Sequence, residues 1–403
     1  MSNTYCRAAQ EQLFITVKGK MQPCCYTESQ DSSNPNFVSS RLFNVKDPID
    51  WFYNNKTQQE LRNNLNNDIK DKRCNVCWER ESLNRESFRI RENKFYKKLK
   101  PPKLKILHII GGRLCNLACR MCYADLSSMI KHEQRPWLFS NYNDYHQYNW
   151  INEQEHIDKM VKLIQHEDLE SLTLQGGEPQ LIKGFMDMLS QVDDKKKESI
   201  AVQVVTNGTV FNEPFWKEMM KFRSTQVGLS IDATESRYNN IRYLGDWNIT
   251  KENSLKILEY MSLNYRNPGP PPKLLLHIVL QLANIDQCDP MNKFLDNLKQ
   301  QFKHVSCKST LMPVEDWHSL GVFPWDPINI PVEILKGIPR TTFDNDLSQQ
   351  WQSSIDHAIQ NNFYNNKARE QVLMREKWFL KKYNSNLWNE RPDWFEIYNR
   401  QIN

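Results

Sequence analysis

The sequence predicts an α/β fold: a partial (β/α)6 barrel with a small cysteine-rich α+β module before it and a helical C-terminal extension after it. Three observations predict it. Six short apolar stretches recur through the middle of the chain with helix-like segments between them. A cysteine-rich loop follows the first of these stretches, where parallel α/β architectures build their sites. A second set of cysteines lies on a hairpin near the N-terminus. The expected boundaries are 1–93 for the module, 94–103 for a linker, 104–325 for the barrel and 326–403 for the extension.

In the module, Leu13 to Val17 reads as a strand, Lys18-Gly19-Lys20 as a turn, and Gln22-Pro23-Cys24-Cys25 as the end of a returning strand. An Asn-rich helical stretch, Thr57 to Ile69, leads to Cys74-Asn75-Val76-Cys77. Four cysteines ending in C-x2-C suit either a zinc knuckle or a saturated iron–sulfur cluster. The lysine-rich segment with Pro101-Pro102 reads as the linker.

The barrel begins with LKILHII, Leu104 to Ile110, which Gly111-Gly112 release into the run GGRLCNLACRMCYADL. Cys115, Cys119 and Cys122 stand there at C-x3-C-x2-C spacing. Three thiolates hold three irons of a cubane and leave the fourth open to a substrate or cofactor, whereas zinc sites come as paired C-x2-C units with four ligands. An aromatic-rich insertion, RPWLFSNYNDYHQYNW, follows; its Trp137, Tyr142, Tyr145, Tyr148 and Trp150 either line a substrate mouth or pack the insertion onto the barrel. The second strand, Leu169 to Leu174, runs into Gly176-Gly177-Glu178-Pro179, where the glycines permit close backbone approach and the carboxylate suits a cationic amine. A third, Ile200 to Val205, ends in Thr206-Asn207-Gly208-Thr209. A fourth, Gln226 to Ile231, ends at Ser230 and Asp232, with Arg242 beyond it. Leu274 to Leu282 and His304 to Leu311 complete the six, with helices such as Glu155 to Gln165 and Ser254 to Tyr265 between them, and Asn267 to Pro272 reads as a stiff connector. Leu347 to Gln360 and Lys367 to Tyr383 make the tail helical.

The triad followed by GGEP resembles the radical S-adenosylmethionine (SAM) superfamily, with Met121 where an aromatic residue often precedes the last cysteine. The resemblance implies that SAM chelates the open iron through its amino and carboxylate groups. It also implies that one electron from the reduced cluster cleaves the sulfonium to methionine and a 5′-deoxyadenosyl radical. By the same resemblance Gly176, Gly177, Glu178 and Pro179 receive the SAM ammonium, and Tyr123, Thr206, Asn207, Ser230, Asp232 and Arg242 supply further SAM contacts. At the N-terminus, C-x12-G-x4-C followed by C-x2-C resembles the accessory cluster module called SPASM, or its shortened twitch form. This implies a second [4Fe–4S] cluster on Cys6, Cys24, Cys74 and Cys77. The G-x4-C spacing selects Cys24 over its neighbour Cys25, and zinc remains the alternative occupant. The chain departs from the usual pattern in carrying the module before the barrel and with cysteines for one cluster, which is closest to twitch-domain radical SAM proteins common in bacteriophage genomes.

Composition bounds the rest. The chain has 403 residues, ten cysteines and a formal net charge of +5, with a mean hydropathy of −0.72. No signal peptide or membrane-spanning run is apparent, so a cytoplasmic protein is expected, with its cysteines in metal or redox chemistry and not in disulfides. The lysines form no basic stripe, and nucleic-acid binding is unsupported. The leading expectation is radical oxidation or crosslinking of a peptide or protein side chain, with an electron donor such as flavodoxin or ferredoxin. The alternatives are dehydrogenation or rearrangement of a small polyol, nucleoside or cofactor precursor, and a non-catalytic iron–sulfur redox sensor.

Overall fold

The computed structural model describes residues 3–27, 40–82, 86–94, 101–122, 124–130, 149–265, 270–313, 326–384 and 387–400. Tyr123, most of the linker, the insertion up to Tyr148 and residues 267–269 of the connector lie outside them. The chain divides into two compact units. One comprises Met1–Leu114, Asn143–Val205 and Glu213–Thr225; the other comprises Cys115–Tyr142, Thr206–Asn212 and Gln226–Asn403.

In the first unit β1 (Gln12–Ile15), β2 (Lys20–Gln22) and β3 (Ser40–Arg41) form an antiparallel ribbon. Three parallel strands extend it: β4 (Ile106–Ile110), β5 (Ser171–Gln175) and β6 (Ala201–Thr206). The hairpin is joined to the barrel strands directly, because β1 pairs in parallel with β4 in the register Gln12↔Ile106 to Ile15↔Ile109. Lys103 and Lys105 already donate backbone hydrogen bonds to the Gln10 and Glu11 carbonyls before that ladder starts. The alternation of SLTLQ and AVQVVT explains why these segments are strands with a two-sided role. Leu172, Leu174, Val202 and Val204 are buried, while Ser171, Thr173, Gln175 and Gln203 on the opposite face are half-buried and polar. Each buried aliphatic contributes about 1.5–3 kcal/mol relative to exposure.

In the second unit β7 (Ser224–Ser230, its residues from Gln226 on), β8 (Lys273–Leu280) and β9 (Ser306–Pro313) pair in parallel. The helices Trp247–Asn264 and Cys288–Gln301 stand between successive strands. With Gln154–Ile164, Lys183–Gln191 and Glu213–Met219 in the first unit, they make the strand–helix alternation of an unclosed (β/α)6 fold. Asparagine, abundant in the sequence, sets many of the boundaries. Asn55, Asn345 and Asn365 cap the N-termini of Lys56–Asn66, Asp346–Gln360 and Asn366–Tyr383 with side-chain oxygens. Asn384 ends the last of these in the left-handed conformation at φ 51°.

Candidate functional site

The triad is reached through a tightly packed exit from β4. Beyond Ile110, the Gly177 amide donates to the Gly112 carbonyl at 2.9 Å and the Glu178 amide to the Leu114 carbonyl at 2.7 Å, which continues the β4–β5 pairing past both strand ends. The bareness of the two glycines is used by the chain's own backbone. A Cβ at Gly177 would lie 2.3 Å from the Leu114 oxygen, and one at Gly176 2.8 Å from the Gly112 oxygen. Glu178 is fully buried and caps the short Pro179–Leu181 turn, its Oε1 accepting from the Gln180 amide at 3.2 Å. Trp150, the described member of the aromatic insertion's five large rings, is 2% exposed and donates to the Ile110 carbonyl, so it packs the insertion's end.

In the second unit Cys115, Cys119 and Cys122 gather in one apolar cluster with Leu117 and Met121. N–H groups converge on two of the sulfurs. The Leu117 amide points at Cys115 Sγ from 3.4 Å, Asn207 Nδ2 reaches the same sulfur at 3.8 Å, and Arg242 Nη1 reaches Cys119 Sγ at 3.8 Å. Such donors stabilise sulfur as thiolate, the form that ligates iron. Asn207 is held by its own turn: Gly208 takes φ +72°, Thr209 donates its amide to Asn207 Oδ1 at 2.9 Å, and Asn116 of the triad loop bonds Thr209 Oγ1 and Asn207 Nδ2. Thr206 accepts the Gly208 amide at 3.2 Å.

Asp232 and Arg242 are paired with each other. Arg242 Nη2 lies 2.8 Å from Asp232 Oδ2, and Asp232 Oδ1 accepts the Val279 amide at 2.8 Å. Burial pulls the Arg242 guanidinium pKa down, but Asp232 and Cys119 outweigh it and hold it above its ordinary value. Arg242 Nε is buried without a hydrogen-bond partner among the described residues, which leaves one donor of the fork for a ligand. Ser230 is half-buried at the end of β7, level with His277 of β8. Burial, reinforced by Arg242, lowers the His277 pKa to about 4 and keeps the ring neutral.

The N-terminal cysteines form a second group, within the first unit. Cys6 is buried with Ala8, Ala9, Leu61, Leu65 and Trp78, and Cys24 and Cys74 pack against them. Cys77 sits one turn beyond Cys74, on the helix Asn75–Ser82. Burial raises all four thiols, and next to burial they raise one another: Cys24 and Cys77 act on Cys6, all three others on Cys74, and Cys24 on Cys77, which reaches about 11. Four anions cannot share such a pocket without a cation, so the donor set suits a metal cluster. Of the adjacent pair, Cys24 is the one packed into this group, with Thr27 Oγ1 3.2 Å from its sulfur. Among the described residues no three His, Cys, Asp or Glu side chains close round a single ion. A cubane sets its ligands wider apart, since each sulfur meets a different iron.

Both groups fall within segments that match known families. Residues 109–268 match the radical SAM superfamily and residues 6–78 match the iron–sulfur cluster-binding SPASM domain. The chain is a radical SAM protein with a SPASM domain ahead of the barrel, and the cofactors that go with these domains are SAM and [4Fe–4S] clusters. No protein of curated function matches it. Among solved structures it is similar to Streptococcus suis SuiB bound to precursor peptide SuiA, with 12% identity, 59% of this chain and 52% of that chain covered, and a TM-score of 0.33. It is also similar to the radical SAM methyltransferase TsrM from Kitasatospora setae with tryptophan substrate and a SAM analogue bound, at 13% identity, 62% and 45% coverage, and a TM-score of 0.35. The chain thus spans about half the length of these structures. No described helix is long and apolar enough to cross a membrane.

The sequence supplied no sign of Arg120, Asn240, Tyr243 or Glu376, which support the triad loop. Arg120 lies between two cysteines of the triad but has no spacing of its own, and its partner Glu376 is 256 residues away.

Proposed function

We propose that the chain is an enzyme that cleaves SAM reductively and abstracts hydrogen from a carbon of a peptide or protein side chain, oxidising or crosslinking it. A reduced cluster on Cys115, Cys119 and Cys122 would supply SAM with the one-electron cleavage chemistry that makes hydrogen abstraction possible, and a cluster on Cys6, Cys24, Cys74 and Cys77 would take up the second electron as the substrate loses a proton. The observation that carries the reading is the triad itself: three thiols on one loop, with N–H donors turned on two of their sulfurs.

The residues have distinct tasks in this reading. Cys115, Cys119 and Cys122 hold the catalytic cluster, and Asn207 and Arg242 donate to its ligands. Arg242 Nε, the open arm of the fork, receives the SAM carboxylate, and Glu178 receives the ammonium, while Gly176, Gly177 and Pro179 shape the turn that presents it. Thr206, Ser230, Asp232 and Tyr123 complete the proposed SAM contacts. Cys6, Cys24, Cys74 and Cys77 hold the accessory cluster. The half-buried polar face of Thr173, Gln175 and Gln203, with His108 bonded to Gln175 at 2.9 Å, favours a substrate rich in amide groups. A low-potential donor such as flavodoxin or ferredoxin, in a reducing cytoplasm, completes the system.

Replacing Cys115, Cys119 and Cys122 together by Ala is expected to abolish 5′-deoxyadenosine formation. About four irons should remain on the N-terminal module. Deoxyadenosine well above background in that variant refutes the assignment of the triad. Zinc without iron on the module refutes the electron-acceptor role. Substrate class is read by which deuterated pool, peptide or small metabolite, passes label into deoxyadenosine; label from metabolites alone removes the peptide reading.

A further inference from the structure

Arg120 follows Cys119 directly, and its side chain is closed off from water. Each arm of the guanidinium is engaged. Nε donates to the Asn240 carbonyl at 2.7 Å, Nη2 donates to Asn240 Oδ1 at 2.8 Å and to the Tyr243 hydroxyl at 3.0 Å, and Nη1 pairs with Glu376. The flat face of the group lies over the Phe379 ring, 4.4 Å from its centre. Glu376, Phe379 and Tyr383 all belong to the helix Asn366–Tyr383 of the C-terminal extension.

The extension is fixed in turn by the same contacts. The second oxygen of Glu376 accepts the Leu387 amide at 2.9 Å. Phe379 and Tyr383 stack on Tyr243 with ring centres 4.9 and 4.2 Å away. The segment that carries Tyr243 is clipped to the triad loop through its backbone: the Tyr243 carbonyl accepts from the Ala118 amide at 3.0 Å and the Ile241 carbonyl from the Arg120 amide at 2.8 Å. Farther along the extension, Glu390 accepts from Asn240 Nδ2 at 2.9 Å and pairs with Arg237 Nε at 2.6 Å. Asn240, which holds Arg120 twice, is therefore itself held from the tail.

We propose that the C-terminal extension, outside both family matches, is a clamp on the cluster loop, and that Arg120 is a positioning residue that fixes Cys119 and Cys122 through Glu376. The proposal rests on the reading that the triad binds the catalytic cluster. A buried guanidinium that loses its carboxylate is an uncompensated charge, so the loop holds its conformation only while the tail is docked. An ordinary core ion pair would stabilise the fold in the same way but would leave the electronic properties of a bound cluster unchanged. Here Arg120 directly follows Cys119 in the chain, so a change in its charge balance is read at a cluster held by that cysteine.

The test uses the full chain, reconstituted anaerobically with iron and sulfide, beside the variant with Ala at Cys115, Cys119 and Cys122. Glu376→Gln keeps the size of the side chain and an acceptor but removes the charge. It is expected to retain the accessory iron, to lose triad iron to a chelator about tenfold faster or more, and to shift the reduction potential of the triad cluster positive, since the Arg120 charge is no longer balanced. Arg120→Lys keeps the charge without the fork and should speed iron loss with little change in potential. Chelation rate and potential both equal to wild type in Glu376→Gln overturn the clamp and leave the cluster assignment standing. Wild-type protein that takes up no more iron than the triad variant overturns both. Should Glu376→Gln fail to fold, Glu376→Asp carries the test: faster iron loss at an unchanged potential supports the clamp, and a wild-type rate overturns it.

Discussion

Placing a single methyl group at Gly177 probes the exit that leads into the triad. The new Cβ would stand 2.3 Å from the Leu114 oxygen and 2.6 Å from both the Arg113 oxygen and the Leu114 carbonyl carbon. An ordinary contact needs roughly 3.4 Å, so about 1 Å of movement is required, and all three obstructing atoms are backbone. That movement breaks the 2.9 Å bond from Gly177 to Gly112 and the 2.7 Å bond from Glu178 to Leu114, because either one lengthened by so much leaves hydrogen-bonding range. Two lost hydrogen bonds at about 0.5–1.5 kcal/mol each and an overpacking cost of about 1–3 kcal/mol give a destabilisation of roughly 2–6 kcal/mol. Gly176→Ala should cost less, since of its two closest obstructions, at 2.8 and 3.0 Å, the second is the movable Ile182 Cδ1. Gly337→Ala is the control: its Cβ meets nothing within 4 Å, and the change should stay within about 1 kcal/mol of wild type. Urea unfolding of the three variants under anaerobic conditions measures the order, and chelator-accessible iron reports whether Cys115 has moved with its neighbour. Equal stability of Gly177→Ala and Gly337→Ala refutes the close approach on which this reasoning depends.

Two further outcomes are expected. Glu178→Gln keeps the oxygen that accepts from Gln180, so the fold should be unchanged, while loss of a charge-assisted bond to the SAM ammonium weakens SAM binding by about 1.5–3 kcal/mol, or roughly 10- to 150-fold in Kd; an unchanged Kd by equilibrium dialysis removes Glu178 from the site. Burial would raise the Asp71 carboxyl, but hydrogen bonds from Arg73 and Asn64 outweigh it and leave it below its ordinary 3.8, while its carbonyl holds the Cys74 amide. A lowered folded-state pKa gives stability that is present above the unfolded value and lost as pH falls through the folded one. Melting of the iron-free protein should therefore show an Asp71 contribution that is full and constant between pH 8 and 5 and is lost below about pH 4, a loss that Asp71→Asn abolishes; an Asn variant with the same acid profile as wild type refutes the role of this carboxylate.

The strands were legible because alternation is a local signal. All six barrel segments recur as strands, with ends shifted by one or two residues where polar members of the half-buried face, such as Gln175 and Ser224, continue the ladder. The parallel pairing of β1 with β4 was not legible, since it joins distant segments through backbone groups that every sequence carries. The triad and GGEP were legible by spacing, yet the reason for the glycines was not: the backbone that presses on them comes from the preceding strand's exit. Arg120 gave no signal because a lone arginine in a loop reads as solvated until its distant carboxylate is in view.

Arg242 shows how one side chain can serve more than one of these demands. Burying an ion pair is often no better for stability than packing apolar groups of the same size, so the Asp232–Arg242 pair calls for another reason to exist. The planar fork divides the work by position: Nη2 lies 2.8 Å from Asp232 Oδ2, Nη1 lies 3.8 Å from Cys119 Sγ, and Nε has no hydrogen-bond partner among the described residues. The 2.8 Å ion pair with Asp232 holds the head group in place, which sets where the other two donors lie. A lysine in that position could satisfy Asp232 but could not also present a donor to the sulfur and another to a carboxylate from one rigid frame. The pair is therefore best understood as a jig for the fork. Hydrogen bonds to cluster ligands are among the factors that set a cluster's potential, so in the proposed function the carboxylate beside Arg242 would act on a cluster held by Cys119 without touching it.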